Sequence, residues 1–131
     1  MLDFQPVALD FMNRDHAAFS ALHAEGVRLL EEADFVALDE LLEKMLEHTR
    51  EHFAEEEHAM QQGNFPPYPM HKMEHDRVLA EMVRQISRWR GQRDLVSFRE
   101  FMLVALPDWF TKHVNLMDAV TARYLSTQAE L

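Results

Sequence analysis

Apolar residues recur at intervals of three and four along most of the chain, the pattern of helices with one buried face. A first stripe, His16, Phe19, His23, Val27 and Leu30, predicts a helix over about 14–32, capped by Asn13. Ala33-Asp34 supplies the turn. A second stripe, Leu38, Leu42, Met45, Thr49, His52, Glu56 and Met60, predicts a helix over about 35–62, stopped by Gly63. The run Asn64-Phe-Pro-Pro-Tyr-Pro69 is the clearest break in the chain. A third helix begins near Pro69, a good first-turn residue, carries His71, His75, Val78, Met82, Ile86 and Trp89 inward, and ends by Gly91. A fourth begins near Asp94 with the stripe Phe98, Met102, Ala105, Trp109, His113, Leu116, Val120 and Tyr124. Pro107 interrupts this last pattern and predicts a kink, and the tail after Ser126 is expected to fray. Short turns between four such helices imply antiparallel neighbours. The expected fold is therefore all-α, an up-down-up-down four-helix bundle spanning 13–126 of one domain, 1–131. Residues 1–12 precede it as an irregular arm, broken by Pro6 and tucked in by Phe4, Val7, Leu9 and Phe11.

Composition sharpens this picture. Three glycines among 131 residues leave little besides helix formers, and 47% hydrophobic residues suffice for a core. A net charge of −10 opposes binding to nucleic acid or anionic lipid, and no apolar run reaches membrane-spanning length. The absence of cysteine removes disulfides, thiolate metal sites and a cysteine nucleophile, and fits a reducing cytoplasm. The N-terminus, with Asp3 and Asp10 and no basic segment, does not read as a signal peptide.

Eight histidines change the reading. Each of the four stripes places one or more where a leucine would be expected, and the second adds Glu56. An unpartnered buried polar group costs about 2–7 kcal/mol, so a shared partner at the bundle centre would resolve several costs together. Neutral imidazole and carboxylate are ligands for first-row transition metals. His52 and Glu56, like His71 and His75, stand four residues apart and project to one side of a helix. His113 and Asp118 are five apart and diverge on a regular helix. Asp118 either reaches a neighbouring metal from the flank or is brought round by a π-bulge. One HxxxH pair is weak evidence alone, since His48 and His52 form another. The conjunction is stronger: in an up-down bundle, the early turns of helices one and three and the later halves of two and four share one end.

Together these residues resemble the hemerythrin family. Asn13-Arg-Asp-His16 is similar to its first-helix motif, and His52-Phe-Ala-Glu-Glu56-Glu57 to its HFxxEE motif. His71-Lys-Met-Glu-His75 matches its HxxxH, and Trp109-Phe-Thr-Lys-His113-Val-Asn-Leu-Met-Asp118 its W-x3-H-x4-D signature. The resemblance covers about 13–121 and suggests the single-domain bacterial form. It implies two iron ions: His71, His75 and His113 on one, His16 and His52 on the other, with Glu56, Asp118 and a solvent oxygen bridging. These donors fall one short of two complete octahedra, leaving an open position for dioxygen on the two-histidine iron. The implied activity is reversible dioxygen binding by a carrier, store or delivery protein rather than an enzyme. Its partners would be dioxygen and, as a candidate recipient, an oxygen-consuming enzyme; the expected state is a cytoplasmic monomer. Phe53, Trp109, Phe110 and Val114 neighbour ligands in sequence and are candidates for an apolar pocket lining.

Other readings compete. Any one of the five histidines could be a hydrogen-bonded core residue, and Glu56 sits inside an acidic run. His23 reads as buried and hydrogen-bonded, and His48 and His58 as surface residues. Ferritin-like di-iron oxidases are organised by paired Glu-x-x-His and more carboxylates than occur here. A peroxidase, an oxygen or iron sensor, and a purely structural bundle are the remaining alternatives.

Overall fold

The computed structural model describes Leu2 and residues 4–129; residues 1, 3, 130 and 131 lie outside the described residues. Three helices, α1 (Asp10–Glu31), α2 (Phe35–Gln62) and α3 (Tyr68–Gln92), are followed by a fourth helical rod over 95–129. That rod alternates between two kinds of turn: α4 (Leu95–Glu100), a π-helical segment Phe101–Ala105, α5 (Leu106–Lys112), a second π segment His113–Asp118, and α6 (Ala119–Ala129). The expected four-helix bundle is present, and its neighbours run antiparallel. Gly26 late in α1 abuts Leu41 early in α2, Arg93 after α3 pairs with Asp39 early in α2, and Trp89 late in α3 stacks on Phe98 in α4.

The links between helices follow from local chemistry. After α1 and α2 the chain closes in the same way. Asp34 N–H bonds Leu29 C=O and Ala33 N–H bonds Leu30 C=O; Phe65 and Asn64 repeat this on Met60 and Gln61. Both are left-handed C-terminal caps, with Ala33 at φ 58° and Asn64 at φ 52°. Phe65 then seals the cap by packing with Met60 and Leu125. Asp34 caps α2 through Ala37 N–H, and Asp94 caps α4 through Ser97 N–H.

Helix α1 begins four residues earlier than the sequence suggests, after Leu9 rather than at an Asn13 cap. Asn13 instead lies within the helix, where its side-chain amide accepts from Val7 N–H and donates to Val7 C=O. It pins the arm and does not cap the helix, and Phe11 belongs to α1 rather than to the arm. Phe4 packs edge-on against Phe110 and His16, so the arm covers the histidine-bearing end of the bundle.

The stripes of α2 and α3 are buried as expected, residue for residue. That of the fourth rod is not: Ala105, Leu116 and Val120 face outward, while Leu106, Phe110, Val114, Asp118 and Ala122 face in. The inward set, from Phe98 through Met102, advances by four each time. A regular α-helix rotates that series by about 40° per step off the core face. The two π segments add the residues that keep it there. Pro107 produces no break, because it follows the first π segment. Leu106 N–H bonds Phe101 C=O, five residues back, and the next bond in that register would run from residue 107 to Met102. Proline has no N–H to give. His23 of α1 fills the place: its Nε2–H donates to Met102 C=O at 2.7 Å. His23 is buried and hydrogen-bonded, as expected, and burial lowers its pKa so that it stays neutral. Helix α6 remains helical through Ala129, beyond the predicted fray after Ser126.

Candidate metal centre

The seven candidate ligands converge at one end of the core, and all are buried. Helix α1 brings His16; α2 brings His52 and Glu56, one turn apart; α3 brings His71 and His75, also one turn apart. His113 and Asp118 are the first and last residues of the second π segment. The wider turn rotates a residue five positions on back to the same side, so the π-bulge is the device that brings Asp118 in.

The geometry divides the histidines into two groups, and both carboxylates straddle the division. Asp118 Oδ1 lies 3.1 Å from Nε2 of both His71 and His113, while its Oδ2 lies 2.9 Å from His16 Nε2. Glu56 Oε1 lies 3.1 Å from His75 Nε2, and its Oε2 lies 2.7 Å from His52 Nε2. One ligand atom from each of Glu56, His71, His75, His113 and Asp118 falls within a 4.8 Å cluster, and one from each of His16, His52, Glu56 and Asp118 in another.

Electrostatics shows what such a cluster needs. Burial pushes the Glu56 carboxyl up and Asp118 beside it adds to that, but the facing imidazoles of His52 and His75 hold it below the usual carboxylate range. Burial likewise raises Asp118, and His113, His16 and His71 pull it well below. Burial lowers His52, yet Glu56 and Asp15 outweigh it and lift this imidazole to about 9. Two ionised carboxylates buried together therefore demand positive charge at the centre. Both Glu56 oxygens, Asp118 Oδ1 and His75 Nε2 find no hydrogen-bond partner among the described residues, close as they are to one another. Groups in that state are expensive unless a cation satisfies them, and imidazole nitrogens with carboxylate oxygens are donors that suit divalent iron.

A second layer fixes three of the five imidazoles, while Nδ1 of His16 and of His113 has no hydrogen-bond partner among the described residues. His52 Nδ1–H donates to Asp15 Oδ2 and His75 Nδ1–H to Glu57 Oε2, and His71 Nδ1 is hydrogen-bonded with Thr121 Oγ1, each at 2.9 Å. Each of these bonds engages the outer nitrogen and leaves Nε2 facing the cluster, the nitrogen a metal would take on displacing any proton there. Sequence reasoning missed all three partners. Asp15 and Glu57 adjoin ligands in sequence, which was a usable signal, whereas Thr121 comes inward only because the π turn shifts the phase. Aromatic rings complete the walls. Phe53 stacks on His75 at 3.9 Å, Trp109 stacks on His113 at 4.6 Å, and Phe110 meets His16 edge-on.

Beside the two-histidine group lies a cavity of about 20 Å³, with Phe19, Phe53, Met82, Trp109 and Phe110 among its lining. Three of the four expected lining residues are there. Val114 is fully buried in the core but does not border this cavity. His48, expected at the surface, is half-buried, lines the same cavity and donates to Asp15 C=O; His58 is exposed. No described helix is long and apolar enough to cross a membrane.

Residues 7–125 match the family model of the hemerythrin HHE cation-binding domain. The chain is 38% identical over 112 residues to a bacteriohemerythrin of Ralstonia nicotianae, covering 86% of this chain and 77% of that protein. It is 29% identical to a bacteriohemerythrin of Aquifex aeolicus, over 79% of this chain and 85% of that one. A myohemerythrin of Sipunculus nudus is 32% identical over 77 residues, 59% of this chain and 57% of its own. No solved structure gives a significant match. The chain belongs to the hemerythrin family, non-haem di-iron proteins that bind dioxygen.

Proposed function

We propose that these seven side chains hold two iron ions and that the protein binds dioxygen reversibly, as a carrier, store or delivery protein rather than an enzyme. His71, His75 and His113 would serve one iron, and His16 and His52 the other. The observation that carries this reading is the straddling of the carboxylates: Glu56 and Asp118 each turn one oxygen toward each histidine group. An iron pair so held would supply the reducing equivalents for binding dioxygen.

The protein's own part is to position and to exclude. Asp15, Glu57 and Thr121 hold three imidazoles by their outer nitrogens, with Nε2 toward the cluster. Phe19, Phe53 and Phe110 line the space beside His16 and His52 with hydrocarbon, and Phe4 of the arm lies over His16. The cavity, about 20 Å³, is of the order of one small molecule, too little for an organic substrate. The lining residues offer no general acid or base free of the ligand set except His48 and Asp15, which are bonded to each other's helices. Both features favour binding over turnover.

The test is the visible spectrum of the reduced, iron-loaded protein. A charge-transfer band that appears in air and disappears under argon over repeated cycles is the expected result, with two irons per chain by metal analysis. A one-way conversion to a ferric product would favour an oxidase or a sensor, and a chain without iron would leave only a structural bundle.

A further inference from the structure

A groove of about 330 Å³ lies on the surface between α3 and the fourth rod, lined by apolar side chains such as Val78, Phe101 and Leu106 and also by Arg77, Glu81, Gln85, Ser97 and Glu100. It plays no part in holding the cluster. The first π segment, which also has no ligand, forms one wall of it. The groove shares two lining residues with the buried cavity beside His16 and His52: Met82 and Trp109. One layer of side chains thus separates the surface groove from the small cavity beside His16 and His52.

The two shared residues are held very differently. Trp109 is anchored at both edges: its ring lies on His113, and its Nε1–H donates to Glu74 Oε1 at 2.7 Å. Glu74 is itself fixed by Arg77. Met82 is 1% exposed and contributes an unbranched thioether without a hydrogen bond among those described. Such a chain changes rotamer at little cost. The opposite end of the cavity is polar and tied shut. There His48 Nε2–H donates to Asp15 C=O at 3.1 Å and His52 Nδ1–H donates to Asp15 Oδ2 at 2.9 Å, both bonds crossing from α2 to α1.

We propose that dioxygen reaches the metal centre through the groove between α3 and the fourth rod, passing Met82 as the moving gate and Trp109 as the fixed post. An uncharged diatomic can cross the apolar layer of Met82 and Trp109 that the two spaces share, whereas anions and water meet hydrocarbon at that layer and a closed hydrogen-bond pair at the other end. The gate rests on the dioxygen-binding reading of the centre, and the experiment separates the two.

A gate changes entry and exit equally and leaves equilibrium alone. Ala105 is exposed on the groove, so A105W fills it without disturbing the core. M82I puts a stiffer, β-branched chain at the gate. In stopped-flow and laser-flash measurements on the iron-loaded protein, A105W should slow dioxygen association and dissociation by the same factor, roughly tenfold, the barrier of one side chain forced off its rotamer, and leave Kd where it is, since Ala105 lies outside the cavity. M82I should slow both rates as well, but Met82 also lines the cavity, so its Kd is free to move. Rates unchanged from the parent, or an A105W effect confined to one of the two rates, would overturn the gate. Xenon-pressurised crystals of the same iron-loaded protein give a reading independent of oxygen chemistry. Xenon should bind in the groove against Met82 in the parent and be lost in A105W. Xenon absent from the groove, or entering beside Asp15 and His48, refutes the route even if dioxygen binds. A parent that takes up xenon at Met82 but forms no reversible oxygen band retains the route and loses the carrier reading.

Discussion

The pairing of His23 with Pro107 makes a prediction that neither residue would make alone. The Met102 carbonyl is left without its helical donor because residue 107 is proline, and His23 Nε2–H restores the bond at 2.7 Å in a buried setting. Replacing His23 by Leu strands that carbonyl, and a buried unpaired acceptor costs about 1–3 kcal/mol. The other imidazole nitrogen, Nδ1, is already buried without a partner, so its removal offsets part of the loss. A net destabilisation of about 1–2 kcal/mol follows. In a P107A background the alanine N–H can bond Met102 C=O itself, and the same His23→Leu change should then cost under about 0.5 kcal/mol. Urea denaturation of the four proteins in chelator, with metal binding removed from the equilibrium, measures the cycle. Additive effects, with a coupling below about 0.3–0.5 kcal/mol, would show that the histidine does not stand in for the missing donor.

Three further outcomes are expected. A33G should raise stability by about 1 kcal/mol in denaturation, because Ala33 closes α1 at φ 58° where a Cβ is strained; a loss would contradict the cap assignment. G26A should lower it by about 1–2 kcal/mol, since a Cβ there would lie 2.9 Å from Leu41 Cδ2 and 3.1 Å from Met102 Cε; a neutral result would mean that those chain ends move aside freely. The metal-free protein should lose stability on both sides of a mildly acidic optimum. His52 is raised to about 9, so its contribution is complete below its unfolded value of 6.5 and is lost as pH climbs toward 9; Glu56 and Asp118 are lowered, so theirs is lost as pH falls below the carboxylate range. Thermal melts across pH in chelator check this, and a monotonic rise through pH 9 would refute it.

Much of the fold was legible because most of the chain obeys one period. In α2 and α3 every residue of the expected stripe is buried, polar ligands included, since a metal-binding histidine occupies a core position as a leucine would. Turns were legible where their chemistry is strong: Asp34 and Asp94 cap the helices that follow them. Asn13 misled because a cap-type residue at the edge of a stripe has two uses. Its amide can cap a helix or tie a preceding arm to it, and a single sequence does not distinguish them.

The fourth rod shows where periodicity itself fails. A stripe drawn at mixed threes and fours passes through Ala105, Leu116 and Val120, which the structure leaves outside. A stripe drawn at strict fours passes through Phe98, Met102, Leu106, Phe110, Val114, Asp118 and Ala122, all of them inside. Both series were present in the sequence, and the α-helical period favoured the wrong one. Two observations could have chosen between them. Pro107 removes a donor that an α-helix would use, and His113 with Asp118 share a direction only if the helix widens between them. The two features call for the same distortion at two places in one rod. The second π segment delivers Asp118 to the cluster, and the first keeps Leu106 and Phe110 inward so that Phe110 can wall the cavity. A helix locally widened at the cost of regular bonding is thus the feature that joins the bundle's packing to its metal-binding geometry.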